Sequence, residues 1–231
     1  MQIVIYMKQI INFLRKLQAN NNREWFMEHK DEYKSAQARF DEIVDQIIYG
    51  ICQFDPSLTG ISHKDCTYRI YRDVRFSKDK SPYKTHFGAF MCPMGKKSGF
   101  AGYYFHVGTG LGEGYPFQHM LATGDYCYDK KVLQILREDI CYGNGEFERI
   151  LDGCPAFQLD KEQMLSRVPN GFPRDSKYSE YLRLKSLCLL NTPSNDFMMS
   201  DDVVNQTVDL FRTTKPFLDF INRAIQYNKE M

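Results

Sequence analysis

The chain has 231 residues, 43% hydrophobic and 26% charged, with 30 Lys and Arg against 29 Asp and Glu. That length makes one large domain or two small ones, and the composition excludes wholesale disorder. A net charge of +1 excludes a histone-like polycation and an acidic tail protein, but not a local charged patch.

The seven cysteines (Cys52, Cys66, Cys92, Cys127, Cys141, Cys154 and Cys188) are odd in number, widely spaced and without a CxxC pair. They read as reduced, mostly buried thiols rather than a disulfide framework or a zinc ribbon. The opening run MQIVIYMKQIINFL lacks the basic start and small-residue cleavage site of a signal peptide. No stretch approaches the roughly 18 apolar residues of a membrane span. The expectation is a cytoplasmic protein with no membrane partner. Residues 1–7 read as an extension without structure, with Met1 and Met7 both candidate starts.

In chain order, residues 8–18 place Ile10, Ile11, Leu14 and Leu17 at helical spacing. Asn20, Asn21 and Asn22 break that helix, and Asn22 can cap the next. From Arg23 to Cys52, a stripe of Trp25, Tyr33, Ala36, Phe40, Ile43, Val44, Ile47 and Ile51 predicts one long helix, ended by Asp55-Pro56 and Gly60. The period then changes. Residues 66–76, 85–92, 101–108 and 115–121 are short, aromatic and alternating, which predicts an antiparallel meander of four strands. Helices are expected after Asp129, over 145–152, over 160–167 with Asp160 and Gln163 as a capping box, and over 176–185. A buried strand is expected over 186–191. Two closing helices follow, one capped by Ser200 with Asp201 and Asp202 in its first turn, the other opened by Pro216. Helices flanking a block of strands predict a single α+β domain, a curved antiparallel meander packed by N-terminal and C-terminal helices.

The stretch RIYRDVRFSKDKSPYK concentrates the charge. Arg69, Arg72, Arg75, Lys78, Lys80 and Lys84 stand against Asp73 and Asp79, a net +4, so the rest of the chain sums to −3. Strand alternation would put Arg69, Tyr71, Asp73 and Arg75 on one face, and Tyr68, Ile70, Arg72, Val74 and Phe76 on a core face. A guanidinium offers a planar fork to carboxylate or phosphate, and Ser77 and Tyr83 add hydroxyls on a loop stiffened by Pro82. One reading is a site for a small anionic ligand built from Arg69, Arg72, Asp73, Arg75, Ser77, Lys78, Lys80, Tyr83 and Lys84, with Asp73 orienting the arginines. The others are a nucleic-acid or protein interaction surface, and a structural lattice of Arg and Asp pairs.

Several segments resemble one family. NFLRKL, NNNREWF, RIYRDVRFSKDKSPYKTHFG, GYYFHV, LQILREDI, RVPNGF and LRLKS together resemble the uncharacterised DUF2461 family over residues 11–225. The resemblance implies relatedness and carries no activity, cofactor or ligand. Where that family usually has a Gly-Gly-aromatic-Pro signature, this chain has Ala122-Thr123-Gly124-Asp125-Tyr126-Cys127.

Other motifs are weaker. GTGLGEG (Gly108, Gly110, Gly112 and Gly114) is followed by Tyr115-Pro116-Phe117 rather than a helix, so it reads as a glycine-rich hairpin or lid. Gly95-Lys96-Lys97-Ser98 lacks the first Gly and the final Ser or Thr of a phosphate loop and reads as a turn. His86, His106 and His119 have no metal-ligand spacing, so neither metal nor cofactor is expected; His86 or His106 could carry a proton beside an anion. No GxSxG elbow and no Cys–His arrangement supports nucleophilic hydrolysis. Arg23 and Trp25 read as a helix start docked on the core, with an approach to the basic strand as the alternative.

Overall fold

A computed structural model describes residues 2–126 and 128–231, so Cys127 and Met1 lie outside the described residues. The chain opens with α1 (Gln2–Ala19), six residues earlier than its apolar spacing suggested. The reading of residues 1–7 as a structureless extension is thereby corrected: Tyr6 and Met7 are buried on the same helix as Ile10, Leu14 and Leu17. The long helix expected over 23–52 is two, α2 (Arg23–Glu28) and α3 (Lys30–Cys52). They part at His29 (φ −104°, ψ 20°), whose Nδ1 donates to the Trp25 carbonyl at 2.8 Å beside its own backbone N–H at 3.0 Å. Asn22 caps α2 as read, accepting from the Trp25 N–H at 2.9 Å. The α3 stripe from Ala36 to Ile51 is buried as its period required.

A 3₁₀ turn (Pro56–Leu58) and α4 (His63–Cys66) lead to the strands. These are β1 (Phe87–Met91), β2 (Gly102–Val107) and β3 (Met120–Asp125). Two helices follow, α5 (Lys130–Tyr142) and α6 (Glu146–Asp152), then β4 (Gln158–Leu159), α7 (Ser179–Leu182) and β5 (Leu187–Asn191). Three helices close the chain: α8 (Asn195–Met198), α9 (Val203–Thr213) and α10 (Lys215–Glu230). The sheet is antiparallel and open, in the order β1-β2-β3-β5-β4. The protein is a single α+β domain. Among the described residues, no helix is long and apolar enough to cross a membrane.

Register assigns the two faces. Phe87, Ala89, Met91, Tyr103, Phe105, Val107, Leu121, Leu187 and Leu189 share one face and are buried. Phe40 of α3 packs on Phe87 and Phe105, with ring centroids 5.4 and 5.9 Å away, and Phe211 of α9 packs on Tyr103 at 5.1 Å. The other face carries Gly88, Gly102, Ala122 and Gly124 among Phe90, Tyr104, His106 and Cys188. Asn222 of α10 clamps the peptide of Ala101, accepting from its N–H at 2.9 Å and donating to its carbonyl at 3.1 Å. Asn222→Ala is expected to lower stability by about 1–3 kcal/mol, read by urea unfolding, because both peptide groups lose their partner.

Three segments differ from their sequence reading. Residues 66–76 are not a strand. They meet β1 only at their start, by an isolated bridge from Thr67 to Ala89, and then the chain ahead of it, by one from Tyr71 to Tyr83, because a run this charged keeps its side chains in water. Phe76, assigned to the core, is 97% exposed. Next, β3 begins at Met120 rather than Tyr115, since Gly114 starts a turn whose carbonyl accepts from Phe117 and Gln118. Residues 160–167 are extended rather than helical: Leu165 and Lys185 donate to Arg183 and Gln163, and Asp160 caps the Glu162 N–H at 2.9 Å instead of starting a helix. The helix over 176–185 shrinks to α7. Ser200 accepts from Asp202 at 3.1 Å ahead of α9, so Asp201 and Asp202 precede its first turn.

Candidate functional site

The small residues on the uncovered face of the sheet leave a cavity of about 700 Å³, a size that takes a small molecule. Its walls are the rings of Tyr68, Phe90, Tyr104, Tyr115 and Tyr126. Lys84 and His86 line it, as do Asp125, Asp160 and Glu162. Gly88 is required here: a Cβ on it would stand 2.5 Å from the Tyr104 hydroxyl.

Hydrogen bonds define the protonation of the two histidines. The Pro116 carbonyl, 3.0 Å from His106 Nε2, can only accept, so Nε2 carries the proton. Nδ1 is then the acceptor for the Tyr104 hydroxyl at 3.1 Å. His86 stacks on His106 with centroids 4.5 Å apart, and its Nε2 meets the Tyr115 hydroxyl at 3.2 Å. Burial pushes the His106 pKa down to about 4. Burial, then the neighbouring His106, then Lys84 and Arg72 push His86 down to about 2. Both rings are neutral near neutral pH. His106 spends both nitrogens inside the protein, which leaves His86 as the ring on the cavity wall.

Most of the basic segment is elsewhere. Arg72 pairs with Asp79 and donates to the Ser81 carbonyl at 3.1 Å and the Ser77 hydroxyl at 3.3 Å. Two bonds from Ser81 and the Arg72 guanidinium hold Asp79 down to about 2. Asp73 takes Arg75 in a fork at 2.6–2.9 Å, as expected for that arginine alone. The Lys80 ammonium rests on the Val74 carbonyl at 3.0 Å. Among the described residues, Arg69 and Lys78 have no carboxylate within ion-pair distance. Of the nine residues singled out for an anion, only Lys84 lines the cavity. Tyr83 is turned away, buried with its ring 3.9 Å from that of Phe26. The Arg and Asp pairs are local, two and seven residues apart, rather than a lattice across the sheet. Arg75→Ala is therefore expected to leave the melting temperature close to wild type, since an exposed pair contributes little.

Lys84 is the exception. Its ammonium lies 5.3 Å from the Tyr68 ring centroid and, among the described residues, has no carboxylate partner. Burial and then the nearby Arg69 lower its pKa. The strand position of Lys84 is secured by Asn21, whose amide donates to the Tyr83 carbonyl at 2.9 Å and accepts from its N–H at 3.2 Å. Here the helix-start motif does reach the basic segment, through Asn21, with Arg23 near enough to act on the Tyr83 hydroxyl. Trp25 stacks instead on His29 at 4.1 Å and Phe13 at 6.3 Å. Asn21→Ala is expected to raise amide exchange across residues 70–84 before it affects the rest of the fold.

The glycine loop crosses toward this site rather than toward a nucleotide. Gly110, Gly112 and Gly114 have positive φ, no helix follows, and Tyr115 and Gly114 reach the cavity rim. Gly95-Lys96-Lys97-Ser98 is a turn, with Ser98 N–H on the Gly95 carbonyl. His119 donates from Nε2 to Asn195 at 2.9 Å, away from the other two rings. Among the described residues, no three His, Cys, Asp or Glu side chains gather as a metal site would require.

The aromatic and acidic walls were not singled out in the sequence. Their signal was the glycines Gly88 and Gly102 on strands otherwise rich in rings, which marks a face kept open. The model of a family described as conserved hypothetical protein (DUF2461) matches residues 9–220. Neither curated proteins nor solved structures give a match.

Proposed function

The chain belongs to the DUF2461 family of conserved hypothetical proteins, which supplies no activity, and from its geometry we propose that it binds a small ring-bearing anion in the cavity over the sheet. One observation carries this reading: a half-buried ammonium, Lys84, stands on a wall of aromatic rings and, among the described residues, has no carboxylate within ion-pair distance, although Asp125, Asp160 and Glu162 line the same cavity. An unpaired buried charge is costly, and an anionic ligand group relieves that cost. Arg69 adds to the positive field at the same rim, and the rings of Tyr68, Tyr104 and Tyr115 offer stacking surface. Within this reading His86 lines the wall as a neutral ring whose Nε2 meets the Tyr115 hydroxyl, while His106 does not line it.

Thermal-shift screening against aromatic carboxylates, aryl phosphates and nucleotides tests it. A ligand at 100 times its dissociation constant should stabilise by about 2.7 kcal/mol. The gain should vanish in Lys84→Met, whose long apolar side chain keeps the packing. A ligand that stabilises Lys84→Met as well as wild type, or a full screen without a shift, overturns the reading.

A further inference from the structure

Phe76 cannot be explained by the core or by the cavity. It is 97% exposed, whereas phenylalanines near the basic segment, such as Phe26 and Phe87, are buried. A turn holds it out: Ser77 N–H closes on the Val74 carbonyl at 3.4 Å, which puts Arg75 and Phe76 at the tip. The turn is braced from behind by the Lys80 ammonium on the same carbonyl and by Arg72 joined to Asp79, Ser77 and Ser81. The bracing uses up both acidic residues of the segment, Asp79 on Arg72 and Asp73 on Arg75. Lys78 and Lys80 keep uncompensated charge on the same turn, since among the described residues neither has a carboxylate within ion-pair distance, and the Asp73-paired Arg75 guanidinium lies 5.9 Å from the Phe76 ring centroid.

We propose that this loop docks on an anionic lipid surface, Phe76 entering the acyl boundary and Lys78 and Lys80 meeting the headgroups. A protruding apolar ring in a collar of positive charge matches a plane that is apolar beneath and negative on top. Single-stranded nucleic acid fits less well, because it stacks successive bases on several rings along a groove. Phe76 stands alone: its neighbour Tyr71 is turned back on Phe26 and Tyr83, with centroids 5.9 and 5.5 Å away. Phe76 is not among the residues lining the cavity, and of the segment's charged residues only Lys84 is, so docking and ligand binding are separable.

The test is co-sedimentation of the full chain with phosphatidylcholine vesicles, with and without phosphatidylserine. Binding is expected only with phosphatidylserine and should weaken as salt rises. At about 1 kcal/mol per basic residue, Lys78→Ala should lower partitioning about five-fold. Phe76→Ser should lower it about ten-fold or more, the loss of one buried ring. Melting curves of both variants should match wild type, because the positions are exposed. Phe76→Trp should still bind, with the emission of the introduced indole moving to the blue on anionic vesicles alone. Equal binding to neutral vesicles, no binding, or an unmoved emission from the Phe76→Trp variant overturns the proposal. So does tighter binding to a mixed single-stranded oligonucleotide that Phe76→Ser abolishes, which assigns the loop to nucleic acid. Retention of vesicle binding in Lys84→Met keeps this outcome distinct from that of the cavity.

Discussion

Gly124→Val is expected to be the most destabilising single substitution in the sheet. Gly124 has φ +129°, a conformation that residues with a Cβ rarely adopt. A Cβ there would stand 2.1 Å from the Leu187 carbonyl oxygen, and that neighbour is backbone that cannot rotate away. The position is central, paired with Gly102 on one side and Cys188 on the other. Strain of about 1–3 kcal/mol from the dihedral adds to the displacement of β5, so a loss above about 3 kcal/mol is expected. For a chain this size each kcal/mol lowers the melting temperature by about 2–4 °C, so a fall near 10 °C is the reading to look for. Gly114→Ala is the control. It too has positive φ, +72°, but nothing lies within 4 Å of its Cβ position, and its effect should be far smaller. Equal effects at the two sites would remove the steric argument.

Acid should weaken the fold above the usual carboxylate range. His106, fully buried, has a folded pKa near 4, and His86, stacked on it, near 2, against about 6.5 in the unfolded chain. Between those values the unfolded state binds protons that the folded state refuses, so stability rises with pH there. The contribution is complete above about pH 6.5, falls as the pH drops below it, and levels off for His106 near pH 4. His106 alone accounts for about 3 kcal/mol over that window. His119, also buried, acts in the same direction. The groups facing the pair are Lys84 and Arg72 by His86 and His119 by His106, which oppose protonation, the Pro116 carbonyl, which favours it, and the hydroxyls of Tyr104 and Tyr115. Asp73 and Asp79, held low by Arg75 and by Ser81 with Arg72, lose their contribution only below the usual carboxylate range. Urea unfolding at pH 7 and pH 5 should show the loss, and His106→Gln should flatten it. A variant with the wild-type pH slope would assign the acid sensitivity to other groups.

Elements with a strong period and apolar content were readable in the sequence. The α3 stripe, β1, β2, β5 and the closing helices stand where alternation or helical spacing placed them. Two errors share one cause. Residues 115–121 alternate like a strand but turn at Gly114, while Ala122–Asp125 has weak strand character and is the central strand. Its small residues serve the open face and its glycine a special dihedral, and neither need raises strand propensity. The basic segment also alternates, yet it makes only isolated bridges, because Arg72 bonds Asp79, Ser77 and Ser81 across its own loop rather than facing a core.

Length, composition and periodicity by themselves determined a single α+β domain and the place along the chain where positive charge gathers. A local pattern suffices for this, because the period says which side of an element must leave water. The tertiary structure alone decided what that charge does. It spent Arg72, Arg75 and Lys80 on neighbours within the loop, exposed Phe76, and carried only Lys84 to the cavity. Which charge reaches the cavity depends on how segments far apart in sequence come together, as Lys84 and Tyr126 do in its lining, and no local pattern encodes that.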